Sequence, residues 1–251
     1  MTKRLSAFRR PVTLALIAAA AVGLAGCHKS GDAAGAAAGP VAPVAAPAGK
    51  QWSDVIAATA DHGMLMGNPN APIKLVEYGS LSCPHCAHLA NEAMQPLTSH
   101  YVNSGEVSYE YRSFAIHGID IPLTVLVRCA DPSAFFALVE QLYTGQNDLL
   151  SKAMANQKAA EDAAKLPAAQ RTLAVAQAYG LIDWFSARGL PEDKAKVCLA
   201  NTTAAEAVAK EAEATENNGI DSTPTLIING AKSSALDWPS LETALKAAGA
   251  H

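Results

Sequence analysis

The sequence predicts an α/β fold with an inserted α-helical subdomain, and three observations predict it. A strand, a helix and a second strand follow one another between residues 73 and 114. The stretch from about 119 to 218 then reads as one helix after another. Two short strands and a last helix, between residues 225 and 248, close the chain. Strands separated by helical patterns indicate a layered sheet-and-helix domain.

The folded part begins near Trp52. His62 to Met66 reads as a strand, and Gly67-Asn68-Pro69-Asn70-Ala71-Pro72 as the turn after it. Ile73-Lys74-Leu75-Val76-Glu77-Tyr78 is apolar and β-branched, the pattern of a buried strand. It runs through Gly79-Ser80-Leu81-Ser82 into Cys83-Pro84-His85-Cys86. Leu89, Ala93, Pro96, Leu97, Tyr101 and Val102 then recur at helical spacing, with a kink expected at Pro96. Val107 to Phe114 alternates and predicts a second strand.

In the helical stretch, Asp131-Pro132 reads as an N-cap followed by proline at the first helical position. Leu149–Leu166, Ala168–Tyr179, a helix opened by Pro191 and Thr202–Asn218 follow. Gly180 and Gly219 are natural stops. Thr225-Leu226-Ile227-Ile228 is again β-branched, and Asn229-Gly230 is a strong two-residue hairpin turn. Ala231–Ala235 returns as a strand, and Trp238–Ala248 is an amphipathic helix.

The N-terminus has a different character. Lys3, Arg4, Arg9 and Arg10 precede an apolar run, Pro11–Val22, that is too short to span a bilayer. This is the pattern of an export signal. Leu24-Ala25-Gly26-Cys27 resembles the lipobox of bacterial lipoproteins, so residues 1–26 are expected to be removed and Cys27 to be lipidated. An ordinary cleaved signal with a stray cysteine is the alternative. Residues 27–50 are Ala, Gly and Pro with almost no periodicity and read as a flexible tether to a domain spanning 51–251. The expected location is the periplasm or cell envelope. His28 after Cys27 points toward an outer membrane.

Net charge is −4, and no Lys/Arg cluster occurs beyond the first ten residues, which argues against nucleic acid as a partner. Aromatic residues make up only 6%, so an aliphatic, alanine-packed core is expected. With Cys27 lipidated, four cysteines remain, an even number in a disulfide-permitting compartment. Cys83 and Cys86 form one pair. Cys129 and Cys198 are left as the second, either bridged or as two buried thiols.

A CxxC at a strand-to-helix junction of a βαβ unit is a redox signal. Cys83 should cap the helix begun by Pro84, where unpaired N–H groups favour a thiolate, and His85 adds a donor nearby. Cys86 lies one turn inward as the partner thiol. A stable Cys83 thiolate makes the disulfide oxidising. Zinc would need a second ligand pair, which the sequence lacks; no metal or other cofactor is expected. A copper carrier is a rival reading, but the copper chaperones of this kind of fold carry CxxxC and a separate His.

These residues carry a resemblance. From about Gly63 to Ala248 the chain resembles the DsbA-type thiol–disulfide oxidoreductases, a thioredoxin-like fold with a helical insertion. The marks are the Gly67–Pro72 turn, Glu77 six residues before Cys83, the CPHC itself, Tyr111-Arg112-Ser113-Phe114 and Thr223-Pro224-Thr225. The resemblance implies a cis Pro224 beside the dithiol, with backbone around Thr223 offered to an extended substrate. A trans proline opening a strand is the alternative. Thr223 departs from the valine of some strong oxidases and leaves the oxidising strength open. Glu77, in an apolar strand aimed at the site, is expected to ferry a proton to and from Cys86; a surface-facing Glu is the alternative. His62, His88, His100 and His117 read as surface or structural residues.

The implied partners are unfolded or reduced secreted proteins and, for reoxidation, a quinone-linked membrane thiol oxidase. A monomer is expected. The isomerases of this superfamily usually carry an N-terminal dimerisation domain, and here the tether takes that place, which favours an oxidase. Disulfide oxidation is the leading activity. Isomerisation or reduction by the same dithiol, and a non-catalytic client- or copper-binding lipoprotein, are the alternatives.

Overall fold

Two parallel strands, β3 (Ile73–Gly79) and β4 (Val107–Ser113), lie at the centre of a computed structural model that describes residues 39–251. Cys27, the expected signal and the first part of the expected tether lie outside the described residues. Parallel neighbours need a long crossover. Here it is α1 (Pro84–Pro96), prolonged by a π-helical stretch, Leu97–Val102. Pro96 has no N–H to give to the preceding turn, so the α-helical ladder ends there and the backbone continues with wider turns. The sequence led us to expect a kink; the structure shows a change of helix type.

Four antiparallel strands complete the sheet: β1 (Ile56–Ala58), β2 (Met64–Met66), β5 (Thr225–Ile228) and β6 (Ala231–Ser233). The order is β1-β2-β4-β3-β5-β6. The β5–β6 hairpin turns on Asn229 and Gly230, with φ of 50° and 83°, as a type I′ turn requires. Strand β1 had no counterpart in the sequence reading.

Between β4 and β5 run eight helices: α2 (Asp120–Cys129), α3 (Phe135–Thr144), α4 (Gln146–Ala155), α5 (Gln157–Ala164), α6 (Ala168–Ala178), α7 (Leu181–Ser186), α8 (Glu192–Ala200) and α9 (Thr202–Asn217). Helix α10 (Trp238–Ala247) closes the fold. The single helix expected over Leu149–Leu166 is two, broken at Asn156, whose φ of −110° and ψ of 15° leave the helical region.

The core is mainly aliphatic and rich in alanine, as the composition suggests, with a cluster of aromatic side chains within it. Tyr109, Tyr111, Phe114, Phe135, Phe136, Tyr143 and Phe185 are all buried, most of them between the β3–β4 sheet and the insertion. Phe135 and Phe136 stack against Tyr111 and Tyr109, with ring centroids 6.0 and 5.5 Å apart. One aromatic cluster thus sits where the insertion meets the sheet.

Part of the expected tether is held to the domain. The N–H of Val41 donates to Gly249, and that of Val44 to Ser104. The Trp52 indole donates to the Val44 carbonyl at 2.6 Å. Val41 and Ala46 are half-buried against the core. The apolar Val and Ala side chains find a groove that composition alone does not reveal.

Candidate active site

Strand β3 ends at Gly79, and residues 80–83 carry the chain to the first turn of α1. Cys83 is the N-cap of α1, in extended backbone, and Pro84 fills the first helical position. Both thiols are free and buried, Cys83 at 4% and Cys86 at 0% exposure. Pro84 and the His85 ring are exposed beside them.

Charge on this pair is strongly asymmetric. The Cys83 thiol is pushed down to about 5, chiefly by a hydrogen bond from the Cys86 thiol. Thr223 and the backbone N–H groups of His85 and Cys86 add to this, against the effect of burial. The His85 N–H, at the helix N-terminus, thus faces the sulfur. The same hydrogen bond, with burial and the nearby charges of Glu77 and Cys83, drives the Cys86 thiol far upward.

The Thr223–Pro224 peptide is cis, and the Cys83 thiol donates to the Thr223 carbonyl at 3.4 Å. The Thr223 hydroxyl is buried and has no partner other than the Cys83 sulfur. Beneath the pair, Glu77 is 4% exposed. Tyr109 donates to its Oε2 at 2.7 Å, and its Oε1 has no partner. Burial raises this carboxyl to about 7; the Tyr109 bond works against that, and the Cys83 charge adds to it.

Three insertion side chains hold the loop from Ser80 to Cys83, and the sequence reading gave none of them this role. Asp120, 1% exposed, accepts from the Ser80 hydroxyl and the Ser82 N–H, both at 2.9 Å. It also accepts from the N–H groups of Ile116 and His117, so the loop and the insertion entry share one carboxylate. The Tyr143 hydroxyl donates to the Ser80 carbonyl at 3.1 Å. The Gln146 amide donates to the carbonyls of Leu81 and Cys83, at 3.0 and 3.1 Å. His117, read as a surface or structural residue, lies 2.9 Å from the Ser82 hydroxyl through Nδ1. One signal was available for two of them: Asp120 and Tyr143 stand in apolar runs, where a polar group needs a buried partner.

Cys129 and Cys198 are disulfide-bonded away from this site, joining the end of α2 to α8 across 69 positions. Among the described residues no group of three or more His, Cys, Asp or Glu could hold a metal ion. The arrangement brings together Cys83, Cys86, Pro84, Thr223, Pro224 and Glu77. It is suited to thiolate attack, disulfide exchange and proton transfer.

A family model described as thioredoxin matches residues 59–247. The crystal structure of the protein-disulfide isomerase of Novosphingobium aromaticivorans superposes with a TM-score of 0.70 at 30% identity, covering 75% of this chain and 98% of that one. Wolbachia pipientis alpha-DsbA1 superposes at 0.57 and 17% identity, over 72% of this chain and 88% of its own, a likeness of fold. A Rickettsia bellii protein provisionally named a protein-disulfide oxidoreductase is 30% identical over 88 residues, 35% of this chain. The chain spans about a third of the length of the curated relatives it matches.

Proposed function

The chain belongs to the thioredoxin family, in the DsbA-type form with a helical insertion, and from that premise we propose that it oxidises paired cysteines of exported proteins. The observation that carries this reading is a free Cys83–Cys86 dithiol with Cys83 at the N-cap of α1 beside the cis Thr223–Pro224 peptide, a setting that pushes Cys83 down and Cys86 up. A stabilised thiolate favours the reduced form, so the Cys83–Cys86 disulfide tends to hand its oxidation to a client.

In the cycle, a client thiolate attacks Cys83 Sγ, the Cys83–Cys86 bond breaks, and Cys86 leaves as a thiolate and takes up a proton. A second client thiolate attacks the mixed disulfide, forms the client disulfide and releases Cys83 as its stable thiolate. Two electrons pass from the client to the dithiol. The Thr223 carbonyl, already paired with Cys83, marks where an extended client backbone pairs beside the cis Pro224. Glu77 supplies and retrieves the Cys86 proton. A quinone-linked membrane thiol oxidase removes the two electrons. The N-terminal reading adds a lipid anchor at Cys27 and a cell-envelope location; among the described residues no helix is long and apolar enough to cross a membrane.

The isomerase reading has its own support, the name of the Novosphingobium aromaticivorans relative. The equilibrium reduction potential separates a reductase from the other two: about −120 to −180 mV supports oxidase or isomerase, and about −270 mV a reductase. Oxidation of a reduced client against rescue of a scrambled one then separates the first two. Disulfide exchange that survives in Cys83→Ser would overturn the whole reading.

A further inference from the structure

We propose that Tyr109 is a positioning residue for proton transfer: its hydroxyl holds one oxygen of Glu77 and leaves the other to exchange a proton with Cys86. The proposal rests on the oxidoreductase reading, in which Cys86 gains and loses a proton each cycle.

The strand register carries it. On parallel β3 and β4, Glu77 lies opposite Tyr111, and Tyr109 lies opposite Leu75, one same-face step back from the dithiol. Tyr109 therefore reaches Glu77 from the earlier end of the strand pair and takes Oε2 at 2.7 Å. The free Oε1 lies near Gly79, where an added Cβ would stand 3.0 Å from it. Residue 79 leads directly into the loop bearing Cys83. The Tyr109 ring is itself fixed against Phe136 of α3, with centroids 5.5 Å apart.

The other groups facing Glu77 do not compete for Oε2. Tyr111 of β4 bonds to Tyr143 of α3 at 2.8 Å, and β5 presents Leu226 opposite Glu77. From α1 and its N-cap come Cys86 and Cys83. Burial pushes all three tyrosine hydroxyls well above their ordinary range, so Tyr109 stays a donor throughout the cycle. A permanent donor favours the carboxylate over the acid.

When Cys86 leaves as a thiolate, the proton on Glu77 Oε1 passes to its sulfur. Glu77 becomes a carboxylate and the Tyr109 bond becomes charge-assisted. On reoxidation the proton returns from the thiol to Oε1.

The test is Tyr109→Phe, which keeps the ring and removes the donor. The Glu77 titration is followed by the infrared carbonyl band of the protonated carboxyl, assigned by its loss in Glu77→Gln. The midpoint is expected to rise by about one to two pH units, the worth of a hydrogen bond to a charged group. Fluorotyrosine incorporation, which makes the phenol a stronger donor, is expected to lower it. The pH profile of Cys86 release from a mixed disulfide should follow the same shift in Tyr109→Phe. In the Glu77→Gln background, adding Tyr109→Phe should leave that profile unmoved. An unchanged carboxyl midpoint overturns the proposal, as does a profile that moves without Glu77. A protein that exchanges no disulfides while Tyr109→Phe still moves the carboxyl midpoint would sink the oxidoreductase reading and leave the hold on Glu77 standing.

Discussion

Replacing Glu77 with Gln is expected to stabilise the oxidised protein, and to do so only above mildly acidic pH. The folded carboxyl is raised from 4.5 to about 7, mainly by burial. Between those values the native state keeps a proton that the unfolded chain has lost. Stability therefore falls as pH rises through this window, and the full cost is present above about pH 7. A raise of about 2.5 units corresponds to about 3 kcal/mol. Gln keeps an acceptor for Tyr109 but leaves its amide unpaired where Oε1 stood, which costs about 1 kcal/mol or more. The net expectation is about 2 kcal/mol in favour of Glu77→Gln at pH 8, with no advantage at pH 4. Urea unfolding of both proteins across that range measures it. The oxidised form is the right one because neither thiol then titrates; it loses only the smallest of the raising influences, the Cys83 charge. A difference that is the same at pH 4 and pH 8, or a wild type more stable at pH 8, would refute the reasoning.

Cys86→Ala removes the largest influence lowering the Cys83 thiol. The midpoint of Cys83 alkylation should move up from about 5 by at least about one unit; an unmoved midpoint would assign the thiolate to the helix N-terminus instead. Gln146→Leu leaves two loop carbonyls without their side-chain donor. A loss of about 1–3 kcal/mol is expected in chemical denaturation, and an unaffected denaturation curve would show that the donor is dispensable. Gly105 has φ +79°, and a Cβ there would lie 2.4 Å from the Val44 carbonyl. Gly105→Ala should release residues 41–50, seen as faster limited proteolysis there, whereas an unchanged cleavage rate would mean that the strap tolerates the shift.

The parts legible in the sequence are those written in local signals. Cys83-Pro84 spells a capped helix start, Asn229-Gly230 a tight hairpin, and Ile73–Tyr78 a buried strand. The parts that were not legible depend on contacts between distant positions. Tyr109 meets Glu77 across 32 positions and Gln146 meets Leu81 across 65. Neither spacing has a period, so only the packed fold pairs them. Asn156 breaks a helix that the alanine pattern would continue, because one residue's backbone angles outweigh a weak propensity. The three-residue β1 is too short to establish an alternation. Residues 41–46 have the composition of a linker, and only the groove offered by Ser104, Gly105 and Gly249 turns them into a strap.

That strap gives the domain a defined heel. Strand β3 runs from Ile73, beside the Ser104–Glu106 turn, to Gly79, beside the dithiol loop. Seven residues of strand span about 23 Å. The chain therefore enters the domain at one pole, and Cys83 works at the other. Whatever the preceding residues are fixed to, a pull on them bears on the end farther from the thiols.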